Sequence, residues 1–243
     1  FCIIIMSTSY FILTKPKNQD VSYNGDNNIA TTTGKITYIL PQTLLTCYAD
    51  RGLFESGLIE WCKQFCSKDK ILLDIGAHTG TYALSLADHV KHVHAFEPQK
   101  MTYYSLCGGV SLSNMTNITC HNFGLGSQDQ EGTLTLHIVS NDGGGSSISP
   151  DTDNILDSEE IQVKTLDSLQ LKDIGVIKMD VENNEEFVIN GGLETLKNSN
   201  YPPIIFECND REAYSSLFSL LEKLTYKIVP LTGAQNMFLA SQQ

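Results

Sequence analysis

Hydrophobic and polar positions along the chain divide it into strands and helices. Apolar runs predict strands at 71–74, 92–97, 118–123, 175–180, 203–207, 225–230 and 236–240. Apolar residues at helical spacing predict helices at 54–65, 99–112, 185–197 and 211–223. Extended segments are predicted at 133–139 and 161–164, around a glycine-rich loop at 141–149. Because strands alternate with helices, the sequence predicts an α/β fold with a mostly parallel sheet covered on both faces.

A glycine turn follows the first of these strands, and the rest of the chain is organised around it. Gly76 and Gly80 follow Asp74 within six residues, and a helical pattern begins at Thr81. Glycine permits unusual backbone angles and lets backbone N–H groups approach a ligand closely. The spacing Asp-x-Gly-x-x-x-Gly differs from the Gly-x-Gly-x-x-Gly that holds a dinucleotide pyrophosphate. The turn is therefore either a ligand-binding turn or a structural connection between strand and helix.

The N-terminal segment differs in character from the rest of the chain. Residues 1–13 are apolar but too short to span a bilayer, and we interpret them as an edge strand or a disordered segment. A membrane anchor or signal upstream of Phe1 stays open, because the chain does not begin with Met. Residues 15–34 are polar and rich in Asn, Asp, Gly and Thr, which predicts a linker or a mobile loop.

Two short apolar runs follow this linker. They cover 35–40 and 43–48 and are separated by Pro41, which predicts a small β-hairpin. The domain organisation that follows is an N-terminal segment and linker at 1–34 and one domain at 35–243, divided into a hairpin and helix at 35–68 and a core at 69–243.

The composition is that of an acidic globular protein. The 243 residues include 41% hydrophobic and 18% charged residues, and the formal net charge is −12. Proteins bind phosphate backbones through Lys and Arg, and no run of either is present, so we expect no nucleic-acid partner. The seven cysteines lack any Cys-x-x-Cys pair, which favours reduced thiols over a zinc site and indicates a cytoplasmic location.

Acidic residues stand at the ends of four predicted strands: Asp74, Glu97, Asp180 and Glu207. In open α/β sheets, ligands bind at the carboxyl ends of the strands. Glu97 lies 23 residues beyond Asp74, a position from which a carboxylate can accept two hydrogen bonds from a ribose diol. The alternative for Glu97 is an ordinary strand-end carboxylate.

A second group of oxygen ligands surrounds Asp180. Glu182 lies two positions later and points the same way if the strand continues. Together with Glu207 and the amide of Asn209, these residues form a set that suits Mg²⁺, Mn²⁺ or Ca²⁺ better than zinc. Solvated acidic loops are the alternative interpretation.

Three further side chains are candidate bases: His78, His121 and Lys178. A histidine in a glycine turn can titrate near neutral pH, although hydrogen-bonded structural histidines are commoner. The sequence contains no Gly-x-Ser-x-Gly elbow, so a nucleophilic hydrolase has no support.

A series of motifs between residues 70 and 240 resembles the FkbM-type S-adenosylmethionine-dependent methyltransferases. The motifs are Asp74-Ile-Gly-Ala-His-Thr-Gly80, Ala95-Phe-Glu-Pro98, Asn114, Asn122-Phe-Gly-Leu-Gly-Ser127, Gly145-Ser-Ser-Ile148, Thr165-Leu-Asp167, Ile177-Lys-Met-Asp-Val-Glu-Asn-Asn-Glu185 and Pro203-Ile-Ile-Phe-Glu207. Their order and spacing together are specific, whereas each motif alone is weak.

The resemblance implies a Rossmann-like sheet of seven strands whose last strand runs antiparallel to the others. It also implies S-adenosylmethionine as the cofactor. The implied cofactor contacts are Asp74, Gly76, Ala77, His78, Gly80, Glu97, Pro98, Asn122, Phe123 and Asp180. Two departures from the family pattern are present: His78 stands where Asn is usual, and Asn183-Asn184 replaces Gly-Ala before Glu185.

The function expected from residues and resemblance together is O-methylation of a sugar or other small glycosidic acceptor. Asp180, Lys178 and His78 are the expected catalytic residues, and Asp180, Glu207 and Asn209 are the expected ligands of Mg²⁺ or Mn²⁺. A catalytically silent member that binds the cofactor or a partner is the alternative. An NAD-dependent oxidoreductase is less supported, because its glycine fingerprint is absent. The sequence leaves the acceptor's identity and the oligomeric state open.

Overall fold

The computed structural model describes residues 10–17, 34–150, 152–209 and 214–242. The strands in these ranges are β1 (Tyr10–Pro16), β2 (Lys35–Pro41), β3 (Ile71–Ile75), β4 (His92–Phe96), β5 (Ile118–His121), β6 (Gly124–Leu125), β7 (Gly132–Ile138), β8 (Asp157–Lys164), β9 (Ile174–Met179), β10 (Ile204–Glu207), β11 (Lys227–Pro230) and β12 (Met237–Ser241).

The α-helices in the same ranges are α1 (Leu45–Arg51), α2 (Ser56–Cys62), α3 (Thr81–Leu86), α4 (Lys100–Leu112), α5 (Glu185–Asn190), α6 (Leu193–Asn198) and α7 (Ser215–Lys223). Short 3-10 helices lie at Gln42–Leu44, Lys63–Phe65, Ala87–His89, Gln128–Gln130 and Asp167–Leu169. Every helix in the described ranges falls short of the length and apolarity that a membrane span requires.

The largest sheet has seven strands within the described ranges, in the order β11-β12-β10-β9-β3-β4-β5. Its strands run parallel except for β12, which is antiparallel to both β10 and β11. The predicted α/β fold, with a mostly parallel Rossmann-like sheet and an antiparallel last strand, is confirmed. From β3 the chain continues to β4 and β5 on one side of the sheet, and later to β9 and β10 on the other. Ligand clefts of such sheets open where this direction reverses, at the carboxyl ends of β3 and β9.

The central strand β3 is buried on both faces and forms the rigid centre of the sheet. Leu72 packs into one apolar cluster with side chains of α3 and α4, and Leu73 packs into a second with side chains of α5, α6 and α7. Burial of one such side chain contributes about 1.5–3 kcal/mol. Helices therefore cover both faces of the sheet, and the turn after Ile75 starts from a fixed strand.

The hairpin predicted between 35–40 and 43–48 is wrong. The strand β2 pairs antiparallel with β1, and residues 43–48 form part of the 3-10 helix Gln42–Leu44 and of α1. Short apolar runs cannot be assigned to strand or helix by periodicity, and here the run buries Tyr48 from a helix. β1 supplies an edge strand from Tyr10 onward. The linker predicted at 15–34 is wrong at its start, because Lys15 and Pro16 belong to β1 and pair with β2. Residues 1–9 and 18–33 lie outside the described ranges, so the rest of the predicted apolar segment and linker lies there too.

A smaller sheet covers the cleft side of the core. It contains three strands in the described ranges, in the order β6-β8-β7, with β8 antiparallel to β7 and parallel to β6. β7 and β8 correspond to the extended segments predicted at 133–139 and 161–164, whereas β6 was not predicted. The helix predicted over 185–197 is divided into α5 and α6 at Gly191 and Gly192, since glycine is a weak helix former.

Candidate functional site

A cavity of about 260 Å³ lies at the carboxyl ends of β3, β4 and β9. Its base is the turn Gly76–His78 together with Glu97 and Asp180. One wall is apolar and comes from the small sheet and the glycine-rich loop, and its side chains are Leu125, Leu136, Ile148, Ile161 and Val163. The opposite wall comes from the N-terminal helices and α3 and contains Tyr48, Phe54, Glu55 and Tyr82. The cavity thus has an apolar end and a polar end.

Gly76 brings the turn after β3 against the end of β9. Its φ is +74°, and a Cβ there would overlap the carbonyl oxygen of Asp180 and lie 2.8 Å from the carbonyl carbon. The backbone N–H groups of Gly76 and Ala77 donate to the Phe96 carbonyl at 3.0 and 2.9 Å. The Lys178 ammonium donates to the Gly76 carbonyl at 3.0 Å. Both neighbouring strands therefore hold the turn in place.

Asp74 and Gly80 support this turn from behind, and neither lines the cavity. Asp74 is fully buried, and its Oδ2 accepts a hydrogen bond from the Ala83 N–H at 2.9 Å. Burial raises the pKa of Asp74, and the nearby Lys178 ammonium opposes that rise. Gly80 has a φ of +85°, and a Cβ there would overlap the Leu106 side chain, so this glycine allows α3 and α4 to pack.

Glu97 is buried at the base of the cavity, and its carboxylate is bonded to the glycine turn. It accepts hydrogen bonds from the backbone N–H groups of His78 at 2.7 Å and Gln99 at 2.8 Å. Burial raises the pKa of Glu97, and His78 and these N–H donors oppose the rise. A carboxylate accepts about four hydrogen bonds, so Glu97 retains capacity for a ligand's hydroxyl groups.

Asn122 and Phe123 lie behind Glu97 rather than on the cavity surface. The Asn122 amide donates to the carbonyls of Glu97 and Pro98, each at 3.0 Å. The Phe123 ring packs edge-on against Phe96 and lies beneath the Lys164 ammonium. Pro98 does line the cavity. Asn122 and Phe123 therefore position the backbone that carries Glu97.

His78 ties the glycine turn to the glycine-rich loop. Its φ is +51°, and its Nε2–H donates to the Asp142 carbonyl at 2.6 Å. On the other side of the cavity, the Gly145 N–H donates to the Glu182 carboxylate at 3.0 Å, and the Ser147 hydroxyl donates to the Glu182 carbonyl at 2.6 Å. The loop is therefore held closed over the cavity at two points.

Three carboxylates converge beside the cavity: Asp180, Glu182 and Glu207, each with an oxygen within 4.8 Å of the others. Burial, and then the charges of Asp180 and Glu182, raise the pKa of Glu207 to about 8. Asn209 does not belong to this group, because its amide oxygen accepts a hydrogen bond from the Asn236 amide at 2.7 Å. The structure brings together Asp180, Glu182 and Glu207 from the predicted set of oxygen ligands, and Asn209 is hydrogen-bonded elsewhere.

Lys178 is buried beside this cluster. Its Nζ lies 3.5 Å from Asp180 and 3.9 Å from Asp74, and it faces the ring of Tyr82 at 5.2 Å. Burial disfavours the charged ammonium, but Asp180 and Asp74 outweigh it and hold the pKa of Lys178 above its ordinary value. Lys178 is therefore a positioned cation, and its raised pKa disfavours a role as a base.

His121 lies away from the cavity, at the outer edge of the sheet. Its ring stacks on Phe96 with centroids 4.5 Å apart, and its Nε2 lies 3.0 Å from Nδ1 of His94. Burial lowers the pKa of His121 to about 4. Its position fits a packed structural histidine.

The turn after Asp180 forms with asparagines at 183 and 184. Glu182 and Asn183 have φ values of +51° and +74°, a conformation that asparagine tolerates better than most residues. The Asn184 amide donates to the Leu125 carbonyl at 3.0 Å and accepts from the Gln130 amide at 2.9 Å. The departure from Gly-Ala is thus accommodated without opening the turn.

The residues that sequence reasoning missed form the polar wall: Tyr48, Phe54, Glu55 and Tyr82. The first three lie before β3: Tyr48 in a run predicted as a hairpin strand, and Phe54 and Glu55 in a segment where the apolar spacing indicated only a helix. No sequence motif identifies these residues as part of a site, because only tertiary packing brings them to the cavity.

Comparisons with known proteins give matches to a protein family and to solved structures. A family comparison matches residues 74–228 to the Methyltransferase FkbM domain. Among solved structures, the chain is similar to the methyltransferase FkbM from Methylobacillus flagellatus KT, at 19% identity and a TM-score of 0.54, over 77% of this chain and 46% of that protein. It is also similar to precorrin-6y C5,15-methyltransferase from Geobacter metallireducens GS-15, at 10% identity and a TM-score of 0.49, over 79% of this chain and 90% of that protein. The chain thus spans just under half of the Methylobacillus protein. The comparison with curated proteins gave no match.

Proposed function

Because this chain belongs to the FkbM methyltransferase domain family, we propose that it transfers the methyl group of S-adenosylmethionine to a hydroxyl of a sugar or small glycosidic acceptor. The observation that carries the proposal is the cavity at the carboxyl ends of β3, β4 and β9, where the Gly76 turn, Glu97 and Asp180 meet. The net charge of −12 and the carboxylates around the cavity disfavour a nucleic-acid acceptor.

The two ends of the cavity fit the two ends of the cofactor. The buried carboxylate of Glu97 would accept hydrogen bonds from the ribose diol. Leu125 and Ile148, beneath the glycine-rich loop, would hold the adenine ring in the apolar end. The Gly76–Ala77 turn would hold the amino-acid end, where no pyrophosphate has to be held, and Asp180 would lie on the side of the acceptor.

Methyl transfer at this site is a one-step displacement. The acceptor oxygen attacks the methyl carbon in line, the carbon–sulfur bond breaks, and its electron pair remains on sulfur. The hydroxyl proton passes to the carboxylate of Asp180, and the products are a methyl ether and S-adenosylhomocysteine. Lys178, 3.5 Å from Asp180, holds that carboxylate in position.

The Asn183-Asn184 turn favours an active enzyme over a catalytically silent one. The turn keeps Glu182 within reach of the loop residues Gly145 and Ser147. The replacement of Gly-Ala by Asn183-Asn184 was the reason to consider a catalytically silent protein. Because this turn still forms, the residues around Asp180 remain in contact with one another.

The binding part of the proposal is tested at Glu97. Replacing Glu97 with Ala is expected to weaken binding of S-adenosylmethionine and S-adenosylhomocysteine by about 1–3 kcal/mol, because polar groups lose their partner. Isothermal titration calorimetry measures both affinities. Glu159→Ala is the matched control: its carboxylate accepts from the Lys100 N–H at 2.8 Å outside the cavity, so its loss should leave both affinities unchanged. Tight binding of NADH with none of S-adenosylmethionine would contradict the proposal.

We also propose that Asp180, Glu182 and Glu207 hold Mg²⁺ or Mn²⁺. The donor set fits, because three carboxylate oxygens within 4.8 Å of one another suit a hard cation. Such a cation would lower the pKa of the acceptor hydroxyl.

The cation proposal is tested by titrating Mn²⁺ into chelator-treated protein by calorimetry. We expect Glu182→Gln to weaken Mn²⁺ binding by about tenfold or more, because it removes a charged ligand. Glu186→Gln, a glutamate of α5 outside the cluster, is the control. Absence of Mn²⁺ binding, with full methyl transfer after exhaustive chelation, would reject the cation and leave the methyltransferase proposal intact.

A further inference from the structure

Resting on the proposed function, we propose that Phe54 and Glu55 form the acceptor subsite and that it takes an uncharged pyranoside. The ring of Phe54 packs against the C–H face of the sugar, and Glu55 and Asp180 accept hydrogen bonds from its hydroxyls.

Phe54 has the position and exposure of a platform for a ligand. It lies in the short segment between α1 and α2 and lines the cavity, yet 56% of its surface is exposed. Tyr48 lines the cavity beside it and is buried. Binding sites typically combine aromatic side chains with a few fixed polar groups. An open aromatic face next to carboxylates matches a sugar ring, which has an apolar face and a rim of hydroxyl donors.

Glu55 is fixed toward the reacting end of the cavity. Its φ is +54°, a conformation that costs energy for a non-glycine residue and that clusters at functional sites. Its carboxylate accepts a hydrogen bond from the Tyr82 hydroxyl at 2.9 Å. The Tyr82 ring in turn faces Lys178, which lies 3.5 Å from Asp180. This chain of contacts sets Glu55 in a defined position relative to Asp180.

The charges around the subsite select against anionic acceptors. Glu55, Asp180 and Glu182 line the cavity, and Glu207 adjoins them. Among the described lining residues, the only Lys or Arg is Lys178, which is already paired with Asp180. A carboxylate or phosphate on the acceptor would meet like charges at short range, and Glu55 would repel it even with a divalent cation bound by Asp180, Glu182 and Glu207. The subsite therefore favours neutral sugars over uronates and sugar phosphates.

The subsite lies outside the part of the chain that carries the family motifs. Phe54 and Glu55 precede the matched residues 74–228. The segment that carries them is held in place by burial of Tyr48 and Leu53 in the core. Acceptor selection is thus assigned to an N-terminal segment, separate from the cofactor-binding turn.

The experiment compares matched acceptors with the full-length protein and radiolabelled S-adenosylmethionine. The neutral probes are the methyl glycosides of D-mannose, D-galactose and L-rhamnose. The anionic probes are methyl galacturonoside and mannose 6-phosphate. We expect Phe54→Ala to raise the KM for a neutral glycoside by about tenfold and to leave the S-adenosylhomocysteine affinity within about twofold of wild type. Phe54→Tyr should restore the wild-type KM, because it keeps the aromatic face.

The control variant is Phe187→Ala. It removes a phenylalanine of similar exposure, 43%, that does not line the cavity, so it should leave the KM unchanged. Methylated glycosides with an unchanged KM in Phe54→Ala would overturn the subsite and leave the proposed function standing. A lower KM for the uronate or phosphate probe than for the neutral glycosides would show that the cavity does not select against anionic acceptors. That result would overturn the proposed subsite. Methyl transfer to a protein or nucleic-acid acceptor, with no glycoside modified, would overturn the proposed function and this subsite together.

Discussion

Replacing Gly76 with alanine is expected to abolish S-adenosylmethionine binding and to lower the melting temperature. The added Cβ would overlap the carbonyl oxygen of Asp180 and approach its carbonyl carbon to 2.8 Å. Both partners are backbone atoms on buried elements, so neither can move aside as a side-chain tip can. The turn and the end of β9 must separate, which displaces Asp180 and breaks the bond from Lys178 to the Gly76 carbonyl. We expect a loss of at least about 3 kcal/mol in unfolding free energy, in the range of overpacked core substitutions.

A matched control separates this overlap from backbone strain. Gly233 has a φ of +86°, close to the +74° of Gly76, but an added Cβ would have no atom within 4 Å. Gly233→Ala therefore tests only the cost of a left-handed alanine, about 1 kcal/mol. Thermal unfolding and calorimetric titration with S-adenosylhomocysteine measure both variants. If Gly76→Ala binds the ligand as well as Gly233→Ala does, the close approach to Asp180 does not control the site.

The turn also illustrates what the sequence could predict. The buried strand β3 and the glycine turn could be predicted, because the apolar run and the spacing of the two glycines are both visible within ten consecutive residues. The order of the later motifs predicted the seven-stranded sheet and the FkbM family, and both predictions are confirmed. The sequence could not show why residue 76 must be glycine. The backbone that a Cβ would overlap belongs to Asp180, which is distant in sequence and contacts Gly76 only in the folded sheet.

The N-terminal region shows where local reasoning fails. β2 was expected to pair with the residues that follow it, but it pairs with β1, which precedes it in the chain. A short apolar run fits a strand or a helix equally well, and tertiary packing decides between them. The same packing brings Phe54 and Glu55 to the cavity, although no motif marks them.

The acidic cluster was predicted in part, for a physical reason. Parallel strand ends meet at one edge of a sheet, so Asp180 and Glu207 could be placed together from the sequence. The side chains just beyond the strand ends, such as those of Glu182 and Asn209, point in directions that depend on the turn after each strand. The left-handed backbone of Glu182 is part of the turn that brings its carboxylate to Asp180, whereas Asn209 is hydrogen-bonded to Asn236. Turn conformations of this kind follow from tertiary contacts rather than from spacing.

Replacing Asp180 with asparagine is expected to lower kcat by about 10²–10⁴-fold while the affinity for S-adenosylmethionine stays near the wild-type value. Asparagine keeps the size of the side chain but cannot take the proton of the acceptor hydroxyl. Single-turnover methyl transfer measures the chemical step, and calorimetry measures binding. Asp173→Asn is the control, because Asp173 is an exposed aspartate that pairs with Lys70 at the opposite end of the sheet. A kcat within about tenfold of wild type would rule out Asp180 as the proton acceptor.

The pH dependence of the same reaction identifies the partner of Asp180. In protein without a bound cation, burial and the neighbouring carboxylates raise the pKa of Glu207 to about 8, so Glu207 there holds a proton at neutral pH and hydrogen-bonds to Asp180. As the pH rises through about 8, Glu207 loses that proton, and its negative charge beside Asp180 favours transfer of the acceptor's proton to the cluster. The rate of the chelator-treated wild type should therefore increase with pH and level off above that value. In Glu207→Gln the group cannot ionise, so this rise should disappear. A rise with the same midpoint in the variant would assign the titration to another group.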